Sequence, residues 1–209
     1  MALKDSISKS EAAQYDEQCR QMEWHGHEAL FGMMFEYISP GQAILDIGIG
    51  TGLMAALFHK AGLEVRGIDA SEAMLEICAR KGVARELVVR DVSESGWPYR
   101  DESFSHLVSC GLFHFLNARN LDVVFGEAHR ILKPGGTFGF TAKGIIGGRT
   151  EYIDRESGIR IFCMSEAAVE ALTTRYRFRV LKKMPYWTFN DAGRTEPAVF
   201  YLYVVKKRG

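Results

Sequence analysis

The chain has 209 residues, enough for one substantial hydrophobic core, and its 47% hydrophobic and 25% charged residues are ordinary for a soluble globular domain, so no second domain is required. Its 26 basic and 26 acidic residues balance, which removes any overall field that would draw it to nucleic acid or an anionic membrane. Cys19, Cys78, Cys110 and Cys163 are scattered without C-x-x-C spacing, which argues against a thiolate metal site or a disulfide framework and for a reducing, cytoplasmic setting.

Residues 1–6 lack the apolar core of a secretion signal, and no apolar run reaches the roughly 18 residues of a membrane span. Residues 10–24 mix polar and aromatic side chains. His27 to Tyr37 has the spacing of an amphipathic helix, with Leu30, Met33, Met34 and Tyr37 on one face, stopped by Ser39-Pro40-Gly41. A strand over Ala43–Ile47 leads through a glycine loop into a helix over Leu53–Lys60. A second strand, Val65–Ile68, ends at Asp69, after which Ser71 is placed to cap a helix whose buried stripe includes Met74, Leu75 and Cys78. Short strands follow at Leu87–Val89 and Ser103–Cys110. Leu121, Val124, Phe125, Ala128, Ile131 and Leu132 recur at helical spacing until Pro134-Gly135-Gly136, and a fifth strand covers Thr137–Thr141. Beyond a polar connection over residues 145–158, the pattern predicts a helix at Ser165–Thr174 and strands at Phe178–Lys182 and Val199–Val205. An aromatic, turn-punctuated segment, Pro185–Arg194, lies between those strands.

The glycine loop carries the chemistry. Gly48, Gly50 and Gly52 fit G-x-G-x-G, whereas the dinucleotide fingerprint G-x-G-x-x-G requires glycine at position 53, where this chain has Leu53, so a pyrophosphate ligand is disfavoured. Asp69 lies about 20 residues beyond the loop, where nucleotide-binding α/β folds place a ribose ligand. With Asp46 and Asp91 it makes three acids at strand ends, pointing to one crevice at the carboxyl edge of a parallel sheet.

The segments LDIGIGTG (45–52), GIDASEAML (67–75), VVRDV (88–92), FSHLVSCGLFHF (104–115) and EAHRILKPGG (127–136) resemble the successive motifs of class I S-adenosylmethionine-dependent methyltransferases, in particular the small, UbiE-like members that methylate small molecules. One departure is Phe104-Ser105, where many relatives have Phe-Asp at a position of structural importance. The resemblance implies an α/β, Rossmann-like, seven-stranded, mostly parallel sheet flanked by helices with an antiparallel C-terminal strand. It also implies a single domain comprising an N-terminal helical lid (1–40), a cofactor-binding core (41–142) and an acceptor-side, sheet-closing region (143–209). By the same resemblance S-adenosyl-L-methionine is the cofactor, held by Tyr15, Asp46, Gly48, Ile49, Gly50, Asp69, Ala70, Met74, Asp91, Val92 and Cys110. Asp46 would counter the ammonium, Asp69 would accept the ribose hydroxyls and Asp91 the adenine amino group. The plainer accounts are a turn-stabilising Asp46, a helix-capping Asp69 and a solvated loop Asp91.

Methyl transfer from a sulfonium needs alignment and exclusion of water, and a base only where the acceptor must lose a proton. His114 is the candidate base, since an ordinary imidazole titrates near pH 6.5; a packing role at the pocket edge is the alternative. The acceptor is expected to be an anionic or aromatic small molecule met by Trp24, His25, Tyr152, Arg155, Tyr186, Trp187 and Arg194, residues that otherwise read as surface loops and satellite-core aromatics. Metal is not expected, as no His/Cys/Asp cluster has ligand spacing. Protein or RNA methylation, and cofactor binding without transfer, are the rival functions.

Overall fold

In the computed structural model, residues 8–155, 157–191 and 193–209 are described. The leaderless reading of residues 1–6 and Ala192 of the aromatic segment lie outside them. The chain begins with α1 (Lys9–Gln21), α2 (Gly26–Met34) and a 3-10 turn at Phe35–Tyr37, then alternates β1 (Ala43–Ile47), α3 (Leu53–Lys60), β2 (Glu64–Asp69), α4 (Glu72–Lys81), β3 (Glu86–Val89) and β4 (Phe104–Ser109). A 3-10 turn at Phe113–Phe115 precedes α5 (Ala118–Ile131) and β5 (Leu132–Lys143). The chain closes with β6 (Glu151–Ile153), β7 (Arg160–Phe162), α6 (Glu166–Arg175), β8 (Phe178–Phe189) and β9 (Pro197–Lys207).

Seven strands form one sheet in the order β3-β2-β1-β4-β5-β9-β8, parallel from β3 to β5, with β9 antiparallel to both of its neighbours. The chain leaves β1 for β2 and β3 on one side and returns to β4 on the other, so β1 and β4 flank the point where strand order reverses, and the crevice at their carboxyl ends is the expected ligand site. One face of the sheet is packed by Leu30, Met34, Met54 and Phe58 of α2 and α3. The other is packed by an aromatic cluster of Phe113, Phe125, Phe138, Phe140, Phe178 and Tyr203. Gly139 lets α2 approach β5, since a Cβ there would stand 2.3 Å from the Met34 sulfur.

Four elements differ from the sequence-based expectation. α1 is a full helix with a capping box, in which Glu11 N–H donates to Ser8 Oγ at 3.2 Å and Ser8 N–H to Glu11 Oε2 at 2.7 Å. β5 starts at Leu132, which pairs with Phe104; Pro134-Gly135-Gly136 falls in the irregular stretch before His106 meets Thr137, so the turn residues interrupt the strand without delaying it. β8 does not stop at Lys182 but runs through Pro185 to Phe189, because it is the sheet edge, where a proline without an N–H breaks no ladder. The connection at 145–158 contains β6, which pairs with β7 as a two-stranded hairpin.

Candidate active site

At the carboxyl ends of β1 and β4 lies a cavity of about 400 Å³, with an annex of about 40 Å³ behind the glycine loop. Gly48, Gly50 and Gly52 adopt φ of 73°, 54° and 87°, a region only glycine enters without strain, so the loop folds tightly from β1 into α3. They serve different ends. A Cβ on Gly48 would meet Leu112 at 2.8 Å and one on Gly52 would meet Cys78 and Val83, whereas at Gly50 nothing lies within 4 Å. Gly50 thus leaves the loop open toward the cavity, and the other two glycines let the loop pack. Ile49 lines the annex, its side chain seated where a Cβ on Gly67 would stand.

The carboxylates of Asp69 and Asp91 line the main cavity and that of Asp46 lines the annex, which shares Tyr15, Gly48, Gly50 and Cys110 with it. Asp46 is fully buried, and its Oδ2 has no hydrogen-bond partner among the described residues. Burial, reinforced by the nearby Asp69 charge, pushes its pKa up to about 8. A buried carboxyl with an unpaired oxygen is a socket for a cationic donor. Burial also raises the Asp69 pKa, opposed by backbone N–H groups: Gly50 N donates to Oδ2 at 2.9 Å and Ser71 N to Oδ1 at 2.8 Å. Each Asp69 oxygen retains a lone pair for a hydroxyl donor. Asp91 uses Oδ1 to accept from Ser93 N at 2.9 Å and Ser93 Oγ at 2.7 Å. Ala70, Met74 and Val92 supply apolar wall, and Cys110, its thiol pKa raised by burial and by Asp46, is a protonated wall residue. The donor set thus fits a ligand with an ammonium, a diol and a flat apolar base.

Tyr15 closes this end from α1, its phenol pKa raised well above the ordinary value by burial and by Cys19. The helix is anchored by Asp16, which accepts from Thr51 Oγ1 at 2.5 Å and from Lys81 at 2.5 Å, and by an ion pair of Lys9 with Glu76 at 3.0 Å. The lid is therefore tied both to the glycine loop and to α4.

The opposite end is built from the turn Phe113–Phe115, the ends of β5 and β9, and the β6–β7 hairpin. His114 lies there, stacked at 4.0 Å on Phe115 and edge-on to Phe200 at 5.7 Å, with Nδ1 unpartnered among the described residues. Burial, with Lys143 adding to it, pushes its imidazole down to about 3. A ring that is neutral throughout the physiological range holds an abstracted proton poorly, so the geometry favours a hydrogen-bonding role for His114 over that of a base. Trp24 and Tyr152 line the cavity. Trp24 folds over α2 because Gly26 has no Cβ, which would lie 2.4 Å from the indole.

His25, Arg155, Tyr186, Trp187 and Arg194 are not part of the cavity wall. His25 is exposed and paired with Glu28, while its N–H donates to Tyr186 Oη at 2.9 Å. Tyr186 supports Trp24 from behind, ring to ring at 5.3 Å. Trp187 points off the sheet edge, 67% exposed, since strand alternation sends it opposite to Tyr186. Arg155 is exposed on the turn between β6 and β7, and Arg194 is exposed and pairs with Glu23. The wall instead includes Lys143, Phe115, Phe189, Asn190 and Phe200, which the sequence reading did not single out. Lys143 was reachable by the strand-end logic that found the three acids, had β5 been extended two residues beyond Thr141. Among the described residues no group of three His, Cys, Asp or Glu can hold a metal ion, and no helix is long and apolar enough to cross a membrane.

Residues 45–140 match the family model described as a methyltransferase domain. A demethylmenaquinone methyltransferase of Tropheryma whipplei is 30% identical over 99 residues, which are 47% of this chain and 41% of that protein. The UbiE ubiquinone/menaquinone biosynthesis C-methyltransferase of Rubrivivax gelatinosus is 37% identical over 98 residues, 47% of this chain and 38% of the relative. The chain thus spans less than half the length of these relatives in the matched region. A chain from the complex between the Haloferax volcanii Trm112 methyltransferase activator and the putative methyltransferase superposes with a TM-score of 0.78 at 18% identity, covering 100% of this chain and 98% of that one.

Proposed function

We propose that this chain, which belongs to the class I S-adenosylmethionine-dependent methyltransferases, transfers a methyl group from S-adenosylmethionine to a small-molecule acceptor. The observation that carries the reading is the division of one cavity into an acid-lined end beneath the glycine loop and an aromatic end beneath the β6–β7 hairpin. The names of the two relatives, a demethylmenaquinone methyltransferase and a ubiquinone/menaquinone biosynthesis C-methyltransferase, support a ring-bearing acceptor.

When bound, S-adenosylmethionine supplies an electrophilic methyl that needs no metal. In this reading Asp46 faces the ammonium from the annex and the first-turn N–H groups of α3 receive the carboxylate. Asp69 takes the ribose hydroxyls and Asp91 the adenine amino group, with Ala70, Met74 and Val92 against the base. Tyr15, Gly48, Ile49, Gly50 and Cys110 shape the walls. α1, pinned by Asp16, excludes water. His114, neutral, orients the acceptor by hydrogen bonding, so transfer relies on approach geometry. The three regions, lid at 1–40, core at 41–142 and acceptor side at 143–209, act as one catalytic domain.

The test is turnover of S-adenosylmethionine to S-adenosylhomocysteine with two fractions of cell extract, metabolites and macromolecules. Methyl incorporation into the metabolite fraction is expected. Incorporation confined to protein or RNA would replace this reading by macromolecular methylation, and absence of turnover in both would leave a binding protein.

A further inference from the structure

Lys143, the last residue of β5, is the cationic side chain in the wall of the aromatic end among the described residues. The residue is 9% exposed, yet among the described residues no carboxylate comes within ion-pair distance of its ammonium. Its partners are neutral. It donates to Asn190 Oδ1 and lies over the faces of Phe200, at 5.0 Å, and Tyr152, at 5.9 Å. Asp154 lines the same cavity and its charge acts on Lys143 from beyond ion-pair distance, while its Oδ1 accepts from Ser157 N–H at 2.8 Å and Oγ at 2.7 Å. Burial is the largest influence on Lys143 and pushes its pKa down, against the opposing effect of Cys163 and of the Asp154 and Glu196 carboxylates.

A buried ammonium is costly unless paired, and one hydrogen bond with two ring faces satisfies it only in part, since three N–H groups need acceptors. The remaining capacity faces the cavity. The two ends of the cavity therefore differ: Asp46, Asp69 and Asp91 at one end and its annex seek a cation and hydroxyls, while at the other Lys143, with Asp154 in the same wall but beyond ion-pair distance, keeps hydrogen-bonding capacity for an anion. Around Lys143 the wall is apolar and ring-shaped, with Phe115, Phe189, Phe200, Tyr152, Ile159 and Ile161.

We propose that Lys143 selects the acceptor by binding an oxyanion on it, a carboxylate or a phosphate ester, while the aromatic walls hold a ring-sized apolar body. This rests on the methyltransferase reading and adds the acceptor class and the residue that recognises it. The contact also gives the acceptor a fixed pivot at the far wall, which turns its nucleophilic atom toward the acid-lined end.

The test is calorimetric titration of the chain, with and without bound S-adenosylhomocysteine, using 4-hydroxybenzoate, phenyl phosphate and the neutral 4-hydroxybenzamide as probes. At least one anion is expected to bind about tenfold or more tightly than the amide, the scale of a charge-assisted hydrogen bond. The stronger of the two anions tells carboxylate from phosphate. Lys143→Met should abolish the preference with S-adenosylhomocysteine affinity unchanged, and Lys143→Arg should keep most of it. Equal or absent binding of anions and amide in the unaltered chain, or a preference that survives Lys143→Met, would overturn the proposal. Failure of S-adenosylhomocysteine itself to bind would instead overturn the cofactor reading, and the titrations without it keep the two failures apart.

Discussion

In the proposed site, a cofactor ammonium set against Asp46 makes affinity a function of pH. In the free protein its pKa is about 8, so at pH 7 only about one carboxyl in ten is ionised. Pairing with a ligand ammonium requires the carboxylate, and binding must therefore expel about 0.9 proton at pH 7. Affinity should rise about ninefold from pH 6 to pH 7 and pass through a maximum near pH 8, above which the ligand's α-amine loses its proton and affinity falls again. The ligand's own α-amine, which titrates near 8, stays charged over pH 6–7 and does not contribute there. The same shift acts on stability. A carboxyl whose folded pKa exceeds its unfolded value of about 3.9 stabilises the fold fully below that value, and the contribution is lost as pH rises toward 8. Calorimetry in two buffers of different ionisation enthalpy measures the released protons. Asp46→Asn should bind more weakly with a flat profile over pH 6–7. No proton release, or the same slope in Asp46→Asn, would refute the assignment of Asp46 to the ammonium.

Further outcomes follow from individual contacts. Asp69→Ala should weaken S-adenosylhomocysteine binding by roughly 1–3 kcal/mol in calorimetry, because it removes ribose acceptors and also frees the N–H groups of Gly50 and Ser71. Gly48→Ala and Gly50→Val should both lower stability in denaturant unfolding, because each forces a side chain onto a positive-φ backbone, the first by about 1–3 kcal/mol with the added contact to Leu112; Gly50→Val, whose Cβ points into open space, should in addition abolish ligand binding at protein concentrations and temperatures where it is folded. Because His114 titrates near 3, the pH–rate profile should show no inflection between pH 5 and 8 that disappears in His114→Gln. Trp187→Ala should leave transfer and cofactor affinity unchanged, whereas Trp24→Ala, which removes a cavity wall, should slow transfer.

The parallel half of the sheet was legible because local rules and tertiary packing agree there. Apolar runs end at Asp46, Asp69 and Asp91, and each glycine of the loop takes a positive φ that its neighbours could not. The C-terminal half was harder because edge position, which sequence does not display, lets β8 continue through Pro185. That extension fixes the alternation which turns Trp187 outward and Tyr186 toward Trp24, and so removes two of the expected acceptor contacts from the wall. α1 lacked a strong apolar stripe: Ala12 is its only fully buried residue among those described, and polar anchors such as Asp16 hold it instead. His114 lines the pocket, but its burial and the lowered pKa that follows depend on Phe115, Phe200 and Lys143, which converge only in the fold.

The central claim is that one cavity holds the cofactor at its acid-lined end and leaves the aromatic, lysine-bearing end for the acceptor. A crystal structure of the chain with S-adenosylhomocysteine tests it most directly. The account predicts the amino group against Asp46, the ribose on Asp69, the adenine beside Asp91 and Val92, and the sulfur facing open space bounded by His114, Tyr152 and Lys143. Ligand density that occupies the Lys143 end, or that lies outside this cavity with Asp46 and Asp69 untouched, would contradict it.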